Sequence, residues 1–278
     1  TYHAYEPKKE RTREALLAVG NGYFGTRGAM EETDSNIVNN PGTYIAGLYN
    51  RLASKVGDRM VENEDFVNVP NWLPVNFRID GGEWFDFNHT EFLEFKKHLD
   101  FRTGVFCRHI VVRDAQGRET EIVSKRMASM ADPHFASLQY QITPLNYSAE
   151  ITLSSGINGA IINDGVERYK QLNQQHLKHR QQGSRDNMIW VSVDTTQSGI
   201  TIAEAANHRL FSDGREIKIN GVAMVDPAKA YMHFNVKAEA GTPLKLEKVV
   251  AIYTSKPDDV ADPLEKATAE RILSISRW

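Results

Sequence analysis

Short runs of alternating apolar and polar residues dominate the chain between Val75 and Ser255. A period of two places one set of side chains on a buried face and the other in water, which is typical of a half-buried β-strand. Turn signals such as DGGE, RTG, DAQG, TPLN and SDGRE separate the runs, and their Gly and Asn residues suit tight hairpins. The strands predicted in this way are VNFRI, EWFDF, VFCRHIVVR, ETEIVSKR, FASLQYQI, AEITLSS, MIWVSVDTT, ITIAEAA, YMHFNVKA and LKLEKVVAIYTS.

This succession of runs predicts a mostly β fold of antiparallel strands. No helical pattern separates the strands, so βαβ units are excluded and the strands must stack as two sheets or close as a barrel. One long polar stretch, VERYKQLNQQHLKHRQQGSRD at 166–186, interrupts them. We expect it to be a surface insertion that is helical or extended.

A helix is predicted at the end of the chain. Asp262 can cap its first turn, and Pro263 suits the first helical position. Its apolar stripe comprises Leu264, Ala267, Ile272, Ile275 and Trp278. Because the sequence has no further residues to cover this stripe, we expect a missing partner there.

The first seventy residues show no clear period. Polar, aromatic, Gly and Pro residues cluster in them, as they do in long loops that lie over a functional site. The densest cluster is GNGYFGTRG at 20–28, with four glycines. Glycine serves where the backbone needs positive φ or close approach, so we expect a special backbone conformation in this loop.

The glycine pattern agrees only in part with a nucleotide site. It contains G-x-G-x-x-G but lacks the Lys-Ser/Thr ending of a P-loop. A dinucleotide site places this pattern after a strand and before a helix, whereas the preceding REALLAV is helix-like. The nucleotide interpretation is therefore disfavoured.

The amino-acid composition limits the kinds of partner that this chain can bind. The chain has 278 residues, 41% hydrophobic and 25% charged, which is typical of a soluble globular protein. The formal net charge of -3 comes without a long basic run, which excludes nucleic acid. No apolar run approaches the roughly 18 residues of a membrane helix, and no signal peptide is recognisable. The single cysteine, Cys107, fits a cytoplasmic location and a semi-buried thiol rather than a nucleophile.

An acidic pair follows the glycine-rich loop. Two carboxylates about 5 to 9 Å apart can carry out acid/base work on a glycosidic bond. Glu31 and Glu32 are adjacent in sequence, however, so on most backbones they point apart. We expect them to be solvated or paired with an arginine such as Arg27.

Several longer stretches, in order and at their spacing, resemble one known family. They are GNGYFGTRG with its acidic pair, GTYIAGLYN, VNVPNWLPVNFRIDGGEWFD and the whole of 99–151 from LDFRTG to NYSAEI. Together they resemble the N-terminal domain of glycoside hydrolase family 65 over nearly the whole chain. That family contains phosphorylases of α-linked glucosides such as maltose, trehalose and kojibiose, together with some hydrolases.

The resemblance implies a fold and an activity. It implies an antiparallel β-supersandwich of the galactose mutarotase-like kind at 1–257, then at 258–278 the start of a helical linker to an absent (α/α)6 catalytic barrel. In that barrel an acidic residue protonates the glycosidic oxygen while inorganic phosphate attacks the anomeric carbon with inversion. It also implies a homodimer and an α-linked glucose disaccharide as substrate. No catalytic residue of the family maps onto this chain, and no cofactor is implied.

Candidate site residues lie in the loops of the first seventy-seven residues. The glycine-rich loop suits packing against another domain, with Arg27 supplying a planar donor fork for carbonyls or carboxylates. Aromatic and amide groups there fit a domain interface or a sugar ring, and we favour the interface. The candidates for a substrate rim or a domain interface are Asn21, Tyr23, Arg27, Glu32, Tyr44, Asn71 and Trp72.

Two other functions remain open at this point. A mutarotase-like epimerase would need a convergent His/Glu pair in a pocket, and a carbohydrate-binding module would need an exposed aromatic platform. The histidines considered are His109, His134, His176, His179 and His208. Packing or surface roles account for the first two. The pair three apart on the predicted surface helix, His176 and His179, has no further ligand at metal spacing, so no metal site is predicted.

Overall fold

The protein folds into antiparallel β-sheets, which confirms the mostly β prediction. The computed structural model describes residues 1–164, 172–269 and 272. The elements of the first half are α1 (Pro7–Leu16), β1 (Val19–Gly20), β2 (Phe24–Thr26), β3 (Thr43–Ile45), β4 (Tyr49–Val56), β5 (Arg59–Phe66), β6 (Val75–Ile79), β7 (Glu91–Asp100), β8 (Val105–Arg113) and β9 (Glu119–Ala128). Those of the second half are β10 (Phe135–Pro144), β11 (Ala149–Asn158), β12 (Leu177–Arg185), β13 (Met188–Thr195), β14 (Thr201–Ser212), β15 (Arg215–Ile217), β16 (Val222–Asp226), β17 (Lys229–Ala238), β18 (Leu244–Thr254) and α2 (Pro263–Ala267).

Two sheets form the body of the molecule. The large sheet has the order β12-β13-β14-β18-β10-β9-β8-β7, with β15 paired to β14. A four-stranded sheet has the order β16-β17-β11-β6. Their inward residues share one apolar core, so the described strands stack as a sandwich. A small sheet β1-β2-β3 and the hairpin β4-β5 complete the architecture.

The core follows from the alternation along the strands. Leu246 and Val250 on β18 belong to the same fully buried cluster as Met232 and Phe234 on β17. Full burial of side chains of this size stabilises the fold by about 1.5–3 kcal/mol each. The prediction of a wet and a dry face therefore holds on β17, whereas β18 is buried on both faces over most of its length because Ala251 and Tyr253 pack in a second cluster with Ala267 and Ile272.

The start of the chain contains more regular structure than its sequence predicted. The helix-like stretch REALLAV begins in α1, as expected, but α1 ends at Leu16 and Val19 already belongs to β1. Strands β1 to β5 replace most of the expected long loops. We call residues 1–34 the N-terminal segment. Tyr2 pairs with Lys97 on β7, and Leu17 and Val19 pack on Phe106 of β8. The N-terminal segment thus covers the β7-β8-β9 half of the large sheet.

Three strand predictions need correction. EWFDF is not a strand: Trp84 makes an isolated bridge to Arg78, and Phe87–His89 form a 3-10 turn. The hairpin β4-β5 was missed because β5 carries mostly polar, exposed residues and shows no alternation. β7 was missed because its core-facing positions include Lys97, which breaks the apolar pattern.

The polar stretch 166–186 is partly a strand. Residues 177–185 form β12, which pairs with β13 at the edge of the large sheet, so the extended alternative is correct there. The prediction for 165–171 lies outside the described residues. His179 lies in β12 and His176 just before it, so the interpretation of this pair as neighbours on a helix is wrong.

The C-terminal helix begins as predicted but is not left uncovered. The Asp262 carboxylate accepts a hydrogen bond from the Glu265 N–H at 3.0 Å, which confirms the cap. Ala267 and Ile272 are buried against β10, β13, β14 and β18, so the expectation that a missing partner must cover them is wrong. Ile275 and Trp278 lie outside the described residues. The boundary at 257/258 stays a prediction.

Candidate functional site

The glycine-rich loop is a tight turn between two short strands. β1 and β2 pair antiparallel around Gly22, which has φ +86°. A Cβ at Gly28 would lie 2.6 Å from the Cβ of Leu17, so this glycine lets the loop approach the end of α1. Close approach is therefore the role of this glycine, as predicted, but the neighbour belongs to the same domain.

Arg27 acts as the donor fork that its position suggested. Its Nε donates to the carbonyl of Asn40 at 2.8 Å, and its Nη2 donates to the carbonyl of Arg11 at 2.7 Å. Nη2 also lies 3.5 Å from the buried carboxylate of Glu14. All three partners belong to this chain, so Arg27 fastens the loop 36–42 to α1 rather than reaching outwards.

Three candidate residues meet at one open pocket of about 370 Å³. Tyr23, Arg27 and Tyr44 line it together with Phe66. The Tyr44 and Phe66 rings stack with centroids 5.2 Å apart, and Phe66 stacks on Tyr49 at the same distance. We call this surface the aromatic pocket. Its lining suits apolar rings or another protein surface.

The hydroxyl of Tyr23 is held from one side of the aromatic pocket. It donates to the carboxylate of Asp259. Burial, followed by this hydrogen bond to a carboxylate, raises the pKa of Tyr23 far above its ordinary value. The phenol therefore stays protonated and serves as a fixed donor.

Asn21, Asn71 and Trp72 are structural in this arrangement. The Asn21 amide donates to the carbonyls of Ser129 and Pro133 at 2.6 and 2.9 Å, which ties the loop to the start of β10. Asn71 pairs with Asn158 through its backbone and is buried. Trp72 is fully buried, and its Nε1 donates to a threonine hydroxyl on β2 at 3.0 Å. In this structure Trp72 has no surface for a sugar.

Glu31 and Glu32 form the centre of a buried ion network. Arg108 lies 2.9 Å from Glu31 and donates to Glu32 at 2.8 Å, and Arg126 reaches Glu31 at 3.2 Å. All four side chains have no exposed surface. The predicted pairing with an arginine is therefore correct, but the partners are Arg108 and Arg126 rather than Arg27, and the expectation of solvated carboxylates is wrong.

Neighbouring hydroxyl groups also donate hydrogen bonds to the two carboxylates of the ion network. Tyr140 donates to Glu32 at 2.6 Å and Ser124 donates to Glu31 at 3.1 Å. Burial alone would raise the pKa of Glu31, but Arg108 and Arg126 outweigh it and hold that pKa below its ordinary value. Two glutamates and two arginines thus balance in charge, as burial requires.

A second ion cluster joins α1 to β7. Lys97 contacts the carboxylate of Glu10, and Arg13 donates to the same carboxylate at 3.1 Å. Sequence reasoning missed these residues and also Arg108 and Arg126. A signal was present: Arg108 occupies an inward position in VFCRHIVV, in phase with Phe106 and Ile110. A charge at such a position needs a buried partner.

The histidines have packing roles. His109 donates to Glu121 at 2.9 Å on the sheet surface, and His134 stacks on Tyr253 with centroids 4.1 Å apart. His208 is buried and donates its Nδ1–H to a backbone carbonyl at 2.7 Å. None of these three, nor His176 or His179, lines the aromatic pocket. The epimerase hypothesis gains no support from them.

Two observations concern metals and membranes. Across 1–164, 172–269 and 272, no group of three or more His, Cys, Asp or Glu residues is placed to hold a metal ion. Within the same ranges, the helices are too short and polar for a bilayer crossing.

Cys107 is half-buried, and burial raises the pKa of its thiol.

The fold and the buried network define an antiparallel β-sandwich domain whose own N-terminal segment is bonded to its large sheet. A model of the N-terminal domain of glycosyl hydrolase family 65 matches residues 1–277. The chain therefore belongs to this family, as the sequence motifs predicted.

Named relatives agree with this assignment. The chain is similar to an uncharacterized glycosyl hydrolase of Mycobacterium tuberculosis (strain H37Rv), with 39% identity over 272 residues, 98% of this chain and 20% of that protein. It is also similar to the kojibiose phosphorylase of Caldanaerobacter subterraneus subsp. tengcongensis, with 30% identity over 277 residues, 97% of this chain and 34% of that enzyme. The chain thus spans a fifth to a third of these relatives.

A solved structure shares the fold. The structure of a candidate kojibiose phosphorylase from human microbiome superimposes with a TM-score of 0.76, over 98% of this chain and 33% of that chain. At 19% sequence identity the likeness concerns the fold alone. It supports the predicted β-supersandwich.

Proposed function

We propose that this chain works as the N-terminal β-supersandwich of a larger family 65 enzyme that phosphorolyses an α-glucosidic disaccharide with inversion. The domain is non-catalytic by itself, scaffolds the (α/α)6 barrel and contributes to the rim of its active site. Inorganic phosphate is the co-substrate of the parent enzyme, without a further cofactor. The proposal extends to a homodimer in the cytoplasm.

One observation carries this proposal. Residues 1–277 match the N-terminal domain of the family, and the relative named kojibiose phosphorylase continues well beyond the matched part. An enzyme of that name transfers a glucosyl group to phosphate, and the family resemblance assigns that chemistry to the barrel.

The aromatic pocket is the part of this chain that we assign to the contact with the barrel or the rim. Tyr49 and Phe66 are 50% and 39% exposed although their rings stack on one another. The stacked rings therefore present apolar area to their surroundings. Exposed, contiguous aromatic area of this kind is typical of protein contacts and of ligand grooves. Hydrogen bonds to other parts of the chain hold the side chains of Arg27 and Tyr23 in place, so the surface is pre-organised.

A phosphate-dependent assay tests the proposal. β-Glucose 1-phosphate release is measured from maltose, trehalose, kojibiose and nigerose, with this chain and with its longer parent chain. We expect product only from the parent, from one of the four sugars and only with phosphate present. Product from the 278-residue chain alone would contradict the non-catalytic role.

A hydrolase parent is the second candidate, because the relative from Mycobacterium tuberculosis is named a glycosyl hydrolase. The same assay separates the two when free glucose is measured without phosphate. Phosphate-independent glucose release by the parent would replace phosphorolysis by hydrolysis. The role of this domain as scaffold is the same in both cases.

A further inference from the structure

A second cavity, of about 260 Å³, lies on the outer face of the four-stranded sheet. Asn76 on β6, Ser154 on β11 and Tyr231 on β17 line it, in alternation with core residues of the same strands. Trp84 and residues 31–34 of the N-terminal segment complete its wall. We call this cavity the sheet pocket.

Two aromatic rings in the sheet pocket are fixed in place. Tyr231 is the cross-strand partner of Gly156, and a Cβ there would lie 2.2 Å from its Cδ1, so the ring lies across the glycine. The Arg78 guanidinium lies 4.9 Å from the centre of the Trp84 ring, and His233 lies 5.5 Å from it. Both aromatic rings are half-buried and pre-positioned before any ligand arrives.

Neutral polar groups surround these rings. The Thr33 hydroxyl is buried without a hydrogen-bond partner, which is costly unless a ligand or water supplies one. Burial, with Asp34 and Asp226 nearby, raises the pKa of Tyr231 to about 12, so its phenol stays protonated at neutral pH. The exposed carboxylate of Asp34 adds an acceptor at the mouth.

The charges around the sheet pocket disfavour charged ligands. Glu31 and Glu32 line it, but Arg108 and Arg126 already neutralise them, so no strong attraction for a cation remains. An anion would meet these carboxylates and that of Asp34, while Arg108 and Arg126 are engaged and Arg78 does not line the cavity. The hydroxyl and amide groups in turn disfavour a purely apolar ligand.

We propose that the sheet pocket binds one neutral sugar ring, such as a glucopyranose unit. Its rings offer apolar faces to the C–H side of a pyranose, and the hydroxyls, amide and Asp34 match the sugar hydroxyls. The cavity is somewhat smaller than the roughly 300–1,000 Å³ of sites for drug-sized ligands, so it fits one ring rather than an oligosaccharide. This binding needs neither phosphate nor another domain, so it goes beyond the proposed function.

An NMR titration of this chain with methyl α-glucopyranoside tests the proposal. The indole N–H signal of Trp84, assigned with Trp84→Phe, is followed. We expect it to shift and saturate with a Kd on the order of 1 mM, the affinity that a ligand of this size reaches. β-Glucose 1-phosphate should bind about tenfold more weakly, because its charge meets uncompensated acceptors.

Substitutions locate the binding. In every variant the backbone amide signals of Thr33 and Asp34, which line the pocket, report binding. Trp84→Ala should weaken it about tenfold and Tyr231→Phe, which keeps the ring, several-fold. Trp190→Phe is the matched control: this half-buried tryptophan lies on β13 in a different cluster, so its substitution should leave binding unchanged. Asp34→Asn tests the charge of this carboxylate. It should improve the binding of β-glucose 1-phosphate relative to that of the neutral glucoside.

Three results would overturn the proposal. They are an unmoved Trp84 signal at about 100 mM sugar, far above the expected Kd, an unchanged Kd in Trp84→Ala, and equal affinity for the phosphorylated sugar. Each result is independent of the phosphorolysis assay, which measures product from the parent enzyme. Failure of one proposal therefore leaves the other standing.

Discussion

The two halves of the large sheet solve the same burial problem in different ways. Strands β10, β18, β14 and β13 turn mostly aliphatic side chains inwards, such as Leu246 and Val250, against the four-stranded sheet. Strands β7, β8 and β9 turn Lys97, Arg108 and Arg126 inwards, against carboxylates of the N-terminal segment. One half is covered mainly by hydrophobic contact, with Glu204, His208 and Lys248 as buried exceptions, and the other half adds matched charges to its apolar positions.

This difference teaches what each cover requires. An apolar face tolerates many partners of suitable volume. A buried guanidinium tolerates only a partner with opposite charge in the right place, because desolvation costs several kcal/mol per ion. The charged half therefore specifies which segment covers it, whereas the apolar half mainly supplies stability.

The largest effect is expected from removing Arg108. Arg108→Ala leaves Glu31 and Glu32 buried with one arginine between them, which should lower the free energy of unfolding by about 3–5 kcal/mol. Urea unfolding measures the change. Leu246→Ala in the apolar half should cost a comparable 2–5 kcal/mol by leaving a cavity.

A second substitution then separates the two halves. Adding Glu32→Gln to Arg108→Ala should restore part of the lost stability, because it removes one uncompensated charge. The same Glu32→Gln added to Leu246→Ala should only destabilise further, since it breaks an intact network. If Glu32→Gln changed the free energy of unfolding equally in Arg108→Ala and in Leu246→Ala, the distinction between the two halves would be contradicted.

The next effect concerns a titratable group in the apolar half. Burial, then the charge of Lys248, lowers the pKa of His208 from 6.5 to about 3. The unfolded chain therefore binds a proton between these pH values and the folded chain does not, so stability present above pH 6.5 is lost as the pH falls towards 3. At pH 4 the loss from this group should be on the order of 3 kcal/mol.

Unfolding curves at pH 7 and pH 4 check this expectation. His208→Gln should reduce the pH dependence by about that amount, whereas His179→Gln, at an exposed position on β12, should leave it unchanged. An equally steep pH dependence in His208→Gln would assign the acid sensitivity to other groups.

A smaller effect is expected at the glycine-rich loop. Arg27→Ala removes two hydrogen bonds to carbonyls and leaves Glu14 without its neighbouring guanidinium, which should cost about 1–3 kcal/mol. Thermal unfolding of this chain measures it. Arg180→Ala, at a half-exposed surface pair with Asp194, is the control and should change stability by less than about 1 kcal/mol.

The smallest effect is expected at the cap of α2. Asp262→Ala should cost about 1 kcal/mol, because the N–H of Glu265 loses its acceptor. Asp262→Asn keeps an acceptor oxygen and should recover most of this loss. Chemical denaturation of both variants provides the comparison, and equal losses would assign the effect to charge rather than to capping.

The strands of the apolar half, and β8 and β9 of the charged half, could be predicted from the sequence, whereas β7 and the ion pairs that cover the charged half could not. Alternation in the sequence located β8, β9, β10, β13, β14, β17 and β18, because it is a local pattern of the residues themselves. Arg108 and its partner Glu32 are 76 residues apart in the sequence, and no local pattern indicates a contact over that separation. For the same reason the candidates from the first seventy-seven residues separated: Tyr23 and Tyr44 meet at the aromatic pocket, while Glu32 points inwards.

The ion network also sets an order of events during synthesis. Glu31 contacts Arg126, which follows it by 95 residues. At a synthesis rate of about 5–20 residues per second, the acidic pair leaves the ribosome about 5–20 s before this arginine. During that interval the N-terminal segment has no sheet to lie on, so this segment is made before its partner strands and settles only after them.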